Sequence, residues 1–190
     1  MKYVLCLLLA LVVGGKSFAK GNGDLNLKNF PEGYVPKEIG AKLGRHFIPG
    51  KHFLHDGKWI HYAEVCTWLG ALRYAQVAGD DELIGMLEKR FEPLFTEEKV
   101  YLPIKNHVDL NMFGCLPLEF YRITKNQKYY DLGMPYADTQ WQLPADASDR
   151  EKKWAQKGFS WQTRLWIDDM FMITIVPVSY THLRAHETDS

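Results

Sequence analysis

The chain has 190 residues, which is enough for one domain with a sizeable hydrophobic core. Lys plus Arg and Asp plus Glu both number 23, so no net charge favours binding to nucleic acid or to an anionic membrane surface. Aromatic residues make up 14% of the chain and include 6 Trp, a number that suits stacking against flat apolar ligand faces as well as core packing.

The first 19 residues have the layout of a secretory signal peptide. Lys2 precedes an apolar run over residues 3–13, and Ser17 and Ala19 supply the small residues of a cleavage site. The run is too short to be a membrane-spanning helix. We therefore predict cleavage after Ala19 and export to the bacterial periplasm.

The next part of the chain changes from an irregular arm to helices. Residues 20–58 are rich in Gly, Pro, Asn and Lys and predict an irregular arm with a short helix at 36–43. Apolar residues at helical spacing then predict a helix over 58–78. Gly79 and Asp80 end it, and a second helix is predicted from 81 to about 91.

This helix–turn–helix unit occurs twice. Residues 73–83 align without gaps with residues 120–130, at an offset of 121 − 74 = 47 residues. Such a repeat predicts stacked αα-hairpins, and a third hairpin is expected to open near Trp166. Because alternating or β-branched runs are not prominent, we predict an all-α chain, either a closed α/α toroid or an open solenoid.

Residues 165–176 are apolar at nearly every position, which predicts a buried helix. Asp168 and Asp169 lie near its start, where an unpaired charge is expensive. Either partners hold these carboxylates for structural reasons, since acidic residues favour the first turn of a helix, or one of them is kept desolvated for chemistry. The neighbouring Trp161 and Trp166 favour a site.

Asp109 and Asp168 are predicted to form that site together. Both fall near the start of an inner-type helix, and in a toroid such helix starts point to one end of the barrel. Two facing carboxylates suit acid–base work on a sugar. One must be protonated near neutral pH, which burial among Trp166, Met170 and Phe113 would achieve.

Aromatic and cationic side chains near these carboxylates are candidate substrate contacts. Trp rings are expected to stack on the sugar, and cations to hold a substrate carboxylate, Arg with bidentate geometry. Each has an alternative. Trp68 then belongs to the core, and His107 caps the following helix. Lys105 and Arg164 are then solvated. The candidates are Trp68, Trp161, Trp166, Arg164, Lys105 and His107.

The cysteines and histidines predict no metal site. Cys66 and Cys115 lie in apolar helical surroundings, where an exported protein could bridge them; buried free thiols are the preferred interpretation. No CxxC motif and no His/Cys cluster with metal-ligand spacing is present in the sequence.

Three segments resemble the unsaturated glucuronyl and rhamnogalacturonyl hydrolases of glycoside hydrolase families 88 and 105. They are Tyr-Ala-Glu-Val-Cys-Thr-Trp-Leu-Gly at 62–70, Asn-His-Val-Asp-Leu at 106–110 and Leu-Trp-Ile-Asp-Asp-Met-Phe-Met at 165–172. The resemblance spans residues 59–176, and its Trp-Ile-Asp motif is the most specific part. It implies a six-hairpin (α/α)6 barrel, of which residues 59–176 form about the first half.

The resemblance also implies a reaction and its residues. The implied substrate is the unsaturated uronic-acid oligosaccharide that a polysaccharide lyase produces from pectin. The rhamnogalacturonyl hydrolases are favoured over the glucuronyl hydrolases. Asp168 donates a proton to C4 of the C4=C5 bond and draws one from the water that adds at C5, and the hemiketal then opens. Asp109 binds substrate and helps place the water, and Trp68 lies near the unsaturated ring. Asp169 either shifts the proton affinity of Asp168 or points away into a hydrogen bond. Neither metal nor organic cofactor is needed.

Residues 177–190 are predicted to be a non-native tail. The stretch 178–188 looks like one reading frame of a sequencing adapter, so His182 and His186 would carry no chemistry. The native sequence would then stop near Val176 or Pro177. On this interpretation the chain is an inactive half-barrel with exposed apolar surface, which favours aggregation.

Two alternatives stay open. Another α/α-toroid carbohydrate enzyme, a lyase or an epimerase, would need a Tyr, His or Arg constellation that the residues around Asp168 do not suggest. A non-catalytic helical-repeat module that binds oligosaccharide or protein would leave Asp109 and Asp168 paired or solvated.

Overall fold

The computed structural model describes the backbone of residues 29–187 and the side chains of residues 29–181. The first unit of the chain ends at Val35, and its described part contains a turn in which the Tyr34 amide donates to the Pro31 carbonyl at 3.0 Å. The second unit starts at Pro36 and holds the described helices and strands. The predicted signal peptide lies outside the described residues.

The second unit is built from helices joined by tight turns and by longer irregular segments, with a two-stranded hairpin near its start. The helices are α1 (Pro36–Phe47), α2 (Tyr62–Ala78), α3 (Asp81–Phe91), α4 (Val108–Asn111), α5 (Cys115–Thr124), α6 (Gln127–Thr139), α7 (Asp149–Gln156), α8 (Asp169–Met172) and α9 (Ile175–Glu187). The strands are β1 (Leu54–His55) and β2 (Trp59–Ile60). The chain is therefore all-α, as predicted. Within residues 29–187 no helix has both the length and the apolar character needed to span a bilayer.

The second half of the predicted irregular arm is ordered instead. α1 continues to residue 47 rather than 43 and packs against α2. The contact with α2 is close at Gly40, which faces the Tyr74 ring, and α1 also approaches α3 at Gly44, where an added Cβ would lie 2.8 Å from Cδ2 of Leu83. Because the helix is amphipathic but rich in Gly and Lys, its apolar stripe is faint in the sequence, and packing on α2 stabilises it.

The strands β1 and β2 form a small antiparallel hairpin in the same region. Leu54 pairs with Ile60, and His55 pairs with Trp59. The turn between them places Asp56 and Gly57 at positive φ, 52° and 67°. Asp and Gly adopt this backbone at little cost, which explains how so short a hairpin closes.

The two predicted αα-hairpins are present as α2–α3 and α5–α6. Gly79 ends the first helix of one pair in the left-handed conformation, and Lys125 does the same in the other. Asp80 and Asn126 then cap the second helices with their side chains. The structural offset is 125 − 79 = 46 residues at both positions, so the offset of 47 predicted from the sequence is one residue too long.

An aromatic cluster fills the core between these four helices. The Phe91 ring lies 5.1 Å from that of Phe120, 5.4 Å from Trp68, and 5.8 Å from both Phe113 and Tyr129, measured between centroids. All five side chains have no exposed surface. Burying a ring of this size contributes roughly 1.5–3 kcal/mol relative to leaving it in water, so this cluster holds both hairpins together.

The two cysteines of the described region are both free. Cys115 is buried, and that burial raises the pKa of its thiol. Cys66 lies on the exposed side of α2, so the prediction of two buried thiols is correct for Cys115 and wrong for Cys66.

The apolar stretch 165–176 is not the single buried helix that was predicted. The backbone has no regular structure up to Asp168, and α8 and α9 follow as separate helices. Leu165 has a positive φ of 61°, which interrupts any helix there. Several apolar side chains of the stretch are exposed, among them Trp166 and Ile167, because none of the described elements covers them.

Candidate functional site

The guanidinium of Arg164 joins three carboxylates from two distant parts of the chain. Its Nη1 lies 3.1 Å from Oδ2 of Asp109, and its Nη2 lies 3.2 Å from Oδ2 of Asp168. Its Nε and Nη2 lie 3.0 Å and 2.8 Å from Oδ1 of Asp169. The structure thus brings the predicted pair Asp109 and Asp168 together, with Arg164 between them.

The local fold around α4 positions Asp109. His107 is the N-cap of α4, and its Nδ1 accepts a hydrogen bond from the Asp109 amide at 3.2 Å. The imidazole is half-exposed and also lies 3.7 Å from Oδ2 of Asp109. His107 therefore has the capping role that was the alternative to substrate binding, while its exposed edge stays open to solvent.

The two oxygens of Asp109 have different surroundings. Oδ2 faces Arg164, whereas Oδ1 is buried and has no hydrogen-bond partner among the described side chains and backbone. A buried carboxylate oxygen without a donor is an unusual arrangement in a folded protein. Asp109 therefore meets Arg164 through Oδ2, and its Oδ1 is the unpaired oxygen of this carboxylate.

Asp169 is the most enclosed of the three carboxylates, with 5% of its surface exposed. Its Oδ2 accepts hydrogen bonds from the Arg164 amide at 2.6 Å, and from the Trp166 amide and the Thr163 hydroxyl at 3.2 Å. Its Oδ1 accepts the two bonds from the Arg164 side chain. The hydrogen-bonding capacity of Asp169 is therefore used within the protein. The structure gives this residue an internal role in place of the predicted substrate-binding role.

These contacts set the ionisation of the pair. Burial would raise the pKa of Asp169, but the Arg164 side chain and the amides of Arg164 and Trp166 outweigh it and hold the pKa below its usual range. Burial by itself lowers the pKa of Arg164, but the three carboxylates more than reverse that effect, so the pKa of Arg164 lies above its usual value. Asp169 is therefore an ionised acceptor at neutral pH and cannot serve as a general acid.

Asp168 lies in a more open environment than the sequence predicted. Its side chain is 52% exposed. Of the residues expected to enclose it, Trp166 and Met170 are themselves 61% and 70% exposed, and Phe113 is buried in the core. The expected desolvation of Asp168 is therefore wrong for this structure, because the apolar stretch around it lies at an uncovered edge.

Arg164 was predicted to bind a substrate carboxylate, and the structure gives it a different role. Four of its hydrogen bonds go to carboxylates of the protein, and its guanidinium carbon lies 4.4 Å from the centroid of the Trp166 ring. Three negative groups face one positive group here, so the local charge repels an anion. Lys105, the remaining cationic candidate, is exposed, with its Nζ 5.0 Å from the ring centroid of Tyr136.

An open cavity of about 520 Å³ lies beside this cluster. Asp169 and Thr163 form its polar edge, and the remaining wall is largely aromatic and aliphatic. Its main apolar lining residues are Trp141, Phe159, Leu165, Trp166, Ile167 and Met170. Among the predicted stacking residues, Trp166 is the one that offers an exposed ring to this cavity.

The other two predicted stacking residues lie elsewhere. Trp68 has no exposed surface and packs in the core, so the core interpretation is correct and the substrate-binding one is wrong. Trp161 is almost fully buried, and its Nε1 donates to the Thr139 carbonyl at 2.9 Å. Trp161 therefore anchors the segment before the site to α6 rather than facing a ligand.

A second charged cluster, centred on His52, was missed by the sequence analysis. Nδ1 of His52 lies 2.6 Å from Oε1 of Glu64, and Nε2 lies 3.0 Å from Oε2 of Glu98. Arg90 Nη2 donates to the same Oε1 of Glu64 at 2.9 Å. Glu64 lies in the first turn of α2, where an acidic residue is common, so the sequence carries no distinct signal for this cluster.

The His52 cluster ties the loop before β1 to α2 and α3. Oε2 of Glu64 accepts the Phe53 amide at 2.5 Å, and Nη1 of Arg90 donates to the carbonyls of Ile48 and Gly50 at 2.7 Å and 2.6 Å. Burial would raise the pKa of Glu64, but His52, the Phe53 amide and Arg90 lower it overall. The cluster is thus a buried ionic anchor.

Neither cluster provides a metal centre. Among the described residues no group of three or more His, Cys, Asp or Glu side chains is arranged to hold a metal ion. In the acidic cluster, the Arg164 guanidinium occupies the position that a cation would take between the carboxylates.

Comparison of the chain with family models, with curated proteins and with solved structures gives no match. The assignment of a function therefore depends on the residues and on the geometry described above.

Proposed function

We propose that this chain belongs to a hydrolase that removes the unsaturated uronic acid from lyase-generated oligosaccharides by hydrating its C4=C5 bond. One observation carries the proposal: Asp109 and Asp168, which are 168 − 109 = 59 residues apart, meet at one guanidinium beside an open aromatic cavity. Paired carboxylates next to a sugar-sized aromatic surface are the equipment of carbohydrate acid–base chemistry.

In the proposed reaction Asp168 is the acid and its conjugate base. Its proton passes to C4, the water oxygen forms a bond to C5, and a water proton returns to Asp168. The hemiketal at C5 then opens and releases the rest of the oligosaccharide. Because Asp168 is half-exposed, the proposal requires that bound substrate fill the cavity and exclude water from around this carboxyl group.

The charge of the site restricts how such a substrate binds. The three carboxylates leave an excess of negative charge around Arg164, so a uronate carboxylate has to bind away from them. Lys105 offers an exposed cationic group just before α4, and His107 offers an exposed imidazole edge there. The apolar wall at Trp166 suits the less polar face of a sugar ring, and a deoxy sugar such as rhamnose fits it better than a fully hydroxylated one.

We further propose the (α/α)6 barrel as the complete architecture. The two αα-hairpins, with equivalent left-handed ends at Gly79 and Lys125, support a repeated unit of this kind. Residues 59–176 then correspond to about the first three hairpins, the uncovered apolar stretch at 165–171 faces the missing ones, and residues 177–190 are the foreign tail. Export to the periplasm completes this proposal.

The test follows loss of the ultraviolet absorbance of the conjugated double bond in lyase-generated pectin fragments. It uses the uninterrupted gene from the same source and compares three forms: wild type, Asp168→Asn and Asp149→Asn. Asp149 is a fully exposed aspartate on α7, which makes it the matched control. We expect wild type and the control to consume the substrate and Asp168→Asn to lose activity by at least about 100-fold.

A non-catalytic oligosaccharide-binding module is the second candidate, because Asp109 is paired and Asp168 is solvated, as that function requires. It predicts no absorbance change with rhamnogalacturonan or glycosaminoglycan fragments. It also predicts that oligosaccharide binding, measured by calorimetry, is nearly the same in wild type, Asp109→Asn and Asp168→Asn. That combination of results would replace the hydrolase proposal.

A further inference from the structure

We infer that Asp169 is a positioning residue: by fixing the backbone turn 163–166 and the guanidinium of Arg164, it sets where Asp109 and Asp168 stand relative to each other. The role of the two carboxylates in a reaction rests on the proposed function. The positioning itself is a property of the folded chain and can be tested without any activity.

Hydrogen bonds from the protein itself occupy both oxygens of Asp169. Its two oxygens accept five hydrogen bonds, from two backbone amides, one hydroxyl and two guanidinium nitrogens. Charge-assisted bonds of this kind are shorter and stronger than neutral ones. Asp169 therefore has no free lone pair aimed at a ligand, although it lines the cavity.

These hydrogen bonds hold an unusual backbone conformation at Leu165. Leu165 has a φ of 61°, a left-handed conformation that is sterically unfavourable for a leucine. The amides on either side of it, those of Arg164 and Trp166, both donate to the same oxygen of Asp169. The carboxylate thus offsets the cost of the turn and keeps residues 163–166 out of a helix.

Asp169 also fixes the orientation of the Arg164 guanidinium. With Nε and Nη2 of Arg164 fixed on Oδ1 of Asp169, the planar group has one orientation in which Nη1 reaches Asp109 and Nη2 reaches Asp168. An Arg held in a fork of this kind loses little further freedom when it makes its other contacts. Asp169 thereby controls two carboxylates that it does not touch.

The experiment observes the Arg164 Nε–H signal by nitrogen–proton NMR of the 190-residue chain. The signal is assigned by its loss in Arg164→Lys. We expect a slowly exchanging signal in wild type, in Asp149→Asn and in Asp109→Asn, and its loss or fast exchange in Asp169→Asn. A signal that keeps its shift and exchange rate in Asp169→Asn would overturn the inference.

Kinetics of the uninterrupted protein provide the second measurement. A misplacement of about 1 Å in a reacting group costs about 100-fold in rate, so we expect Asp169→Asn to lower kcat by about that factor with KM within about 3-fold. Arg164→Lys, which keeps the charge but not the fork, should do the same, and the double variant should add little.

The opposite kinetic result, a rise in KM of more than 10-fold with kcat unchanged, would make Asp169 a substrate-binding residue and overturn the inference. If the wild type has no activity, the proposed function fails and the NMR signal alone decides the positioning role. If Asp169→Asn does not fold, as shown by loss of signal dispersion, the kcat and KM of Arg164→Lys decide it instead.

Discussion

His52 stands between two carboxylates of the buried ionic anchor, and this contact has a pH dependence with a definite sign. Burial lowers the pKa of His52, but the hydrogen bonds and charges of Glu64 and Glu98 outweigh it, so the pKa lies above its usual value. A raised pKa means that protonated His52 stabilises the fold below the unfolded-state pKa of about 6.5. That contribution disappears as the pH rises through the higher folded-state pKa.

We predict that the free energy of unfolding decreases between about pH 6 and pH 8, and that His52→Gln removes this decrease. His61 has the opposite sign, since burial and His55 lower its pKa, so the difference between wild type and variant is the quantity to measure. Urea unfolding at several pH values provides it. Parallel pH profiles for the two proteins would contradict the role assigned to His52.

At the level of residues, the sequence indicated which residues lie at the candidate site better than it indicated what each of them does there. The approach of Asp109 to Asp168 followed from helix starts that share one end of a repeat. The sequence did not predict that Asp169 is enclosed rather than Asp168. Which of two adjacent side chains points inward depends on the backbone turn, and the sequence does not show that turn. Asp169 is the carboxylate that accepts the Arg164 and Trp166 amides on either side of Leu165, which has a positive φ, and no sequence pattern marks a leucine for that conformation.

The two equivalent turns of the αα-hairpins offer a matched comparison between elements. Both Gly79 and Lys125 are in the left-handed conformation, at φ 64° and φ 57°. We predict that Gly79→Ala lowers the free energy of unfolding by about 1 kcal/mol, because alanine resists this backbone. Lys125→Gly should raise it by about 0.5 kcal/mol, since relief of strain exceeds the added entropy of the unfolded chain.

Thermal or urea unfolding of the two variants beside wild type measures both effects. Changes of the same sign in the two turns would show that contacts at the turn, such as Lys125 with the Tyr121 ring, matter more than backbone conformation.

At the level of elements, helices with strong local signals were predicted to within a few residues. α3 begins and ends where Asp80 and the apolar spacing predicted, and α2 stops at Gly79. The prediction of one helix over 165–176 is wrong, because a run of apolar residues does not by itself distinguish a helix from another backbone conformation. Here Asp169 captured backbone amides that a helix would have used, a competition that depends on side-chain placement.

The whole molecule carries an uncovered apolar face formed by Leu165, Trp166, Ile167, Met170 and Phe171. Faces of this kind cause association when no partner covers them. We predict that the 190-residue chain self-associates with rising concentration and that Ile167→Lys reduces this association. Val77→Lys is the control, because Val77 is 91% exposed but lies alone on α2.

Sedimentation velocity over a range of concentrations measures the effect. A stable monomer at high concentration would count against the half-barrel proposal, because an inner barrel surface left open cannot remain inert in water.

At the level of the whole molecule, the class of the fold was readable from the sequence, and the contents of the charged clusters were not. Repeat period, helix spacing and turn residues identify an all-α hairpin array because they act locally. The His52 cluster joins residues separated by up to 46 positions, and no local pattern predicts such a contact. Glu64 lies in the segment 62–70 that carries the family resemblance, yet its partners are evident only in three dimensions.

The ionic anchor also decides where this protein can be cut. A boundary at residues 58 and 59, between the predicted arm and the predicted domain, would separate His52 from Glu64 and remove the carbonyl groups of Ile48 and Gly50 from Arg90. Two buried charges would then lose part of their hydrogen bonding. A shortened recombinant form therefore has to begin at or before Pro36, and the segment between α1 and β2 is part of the folded body rather than a tether.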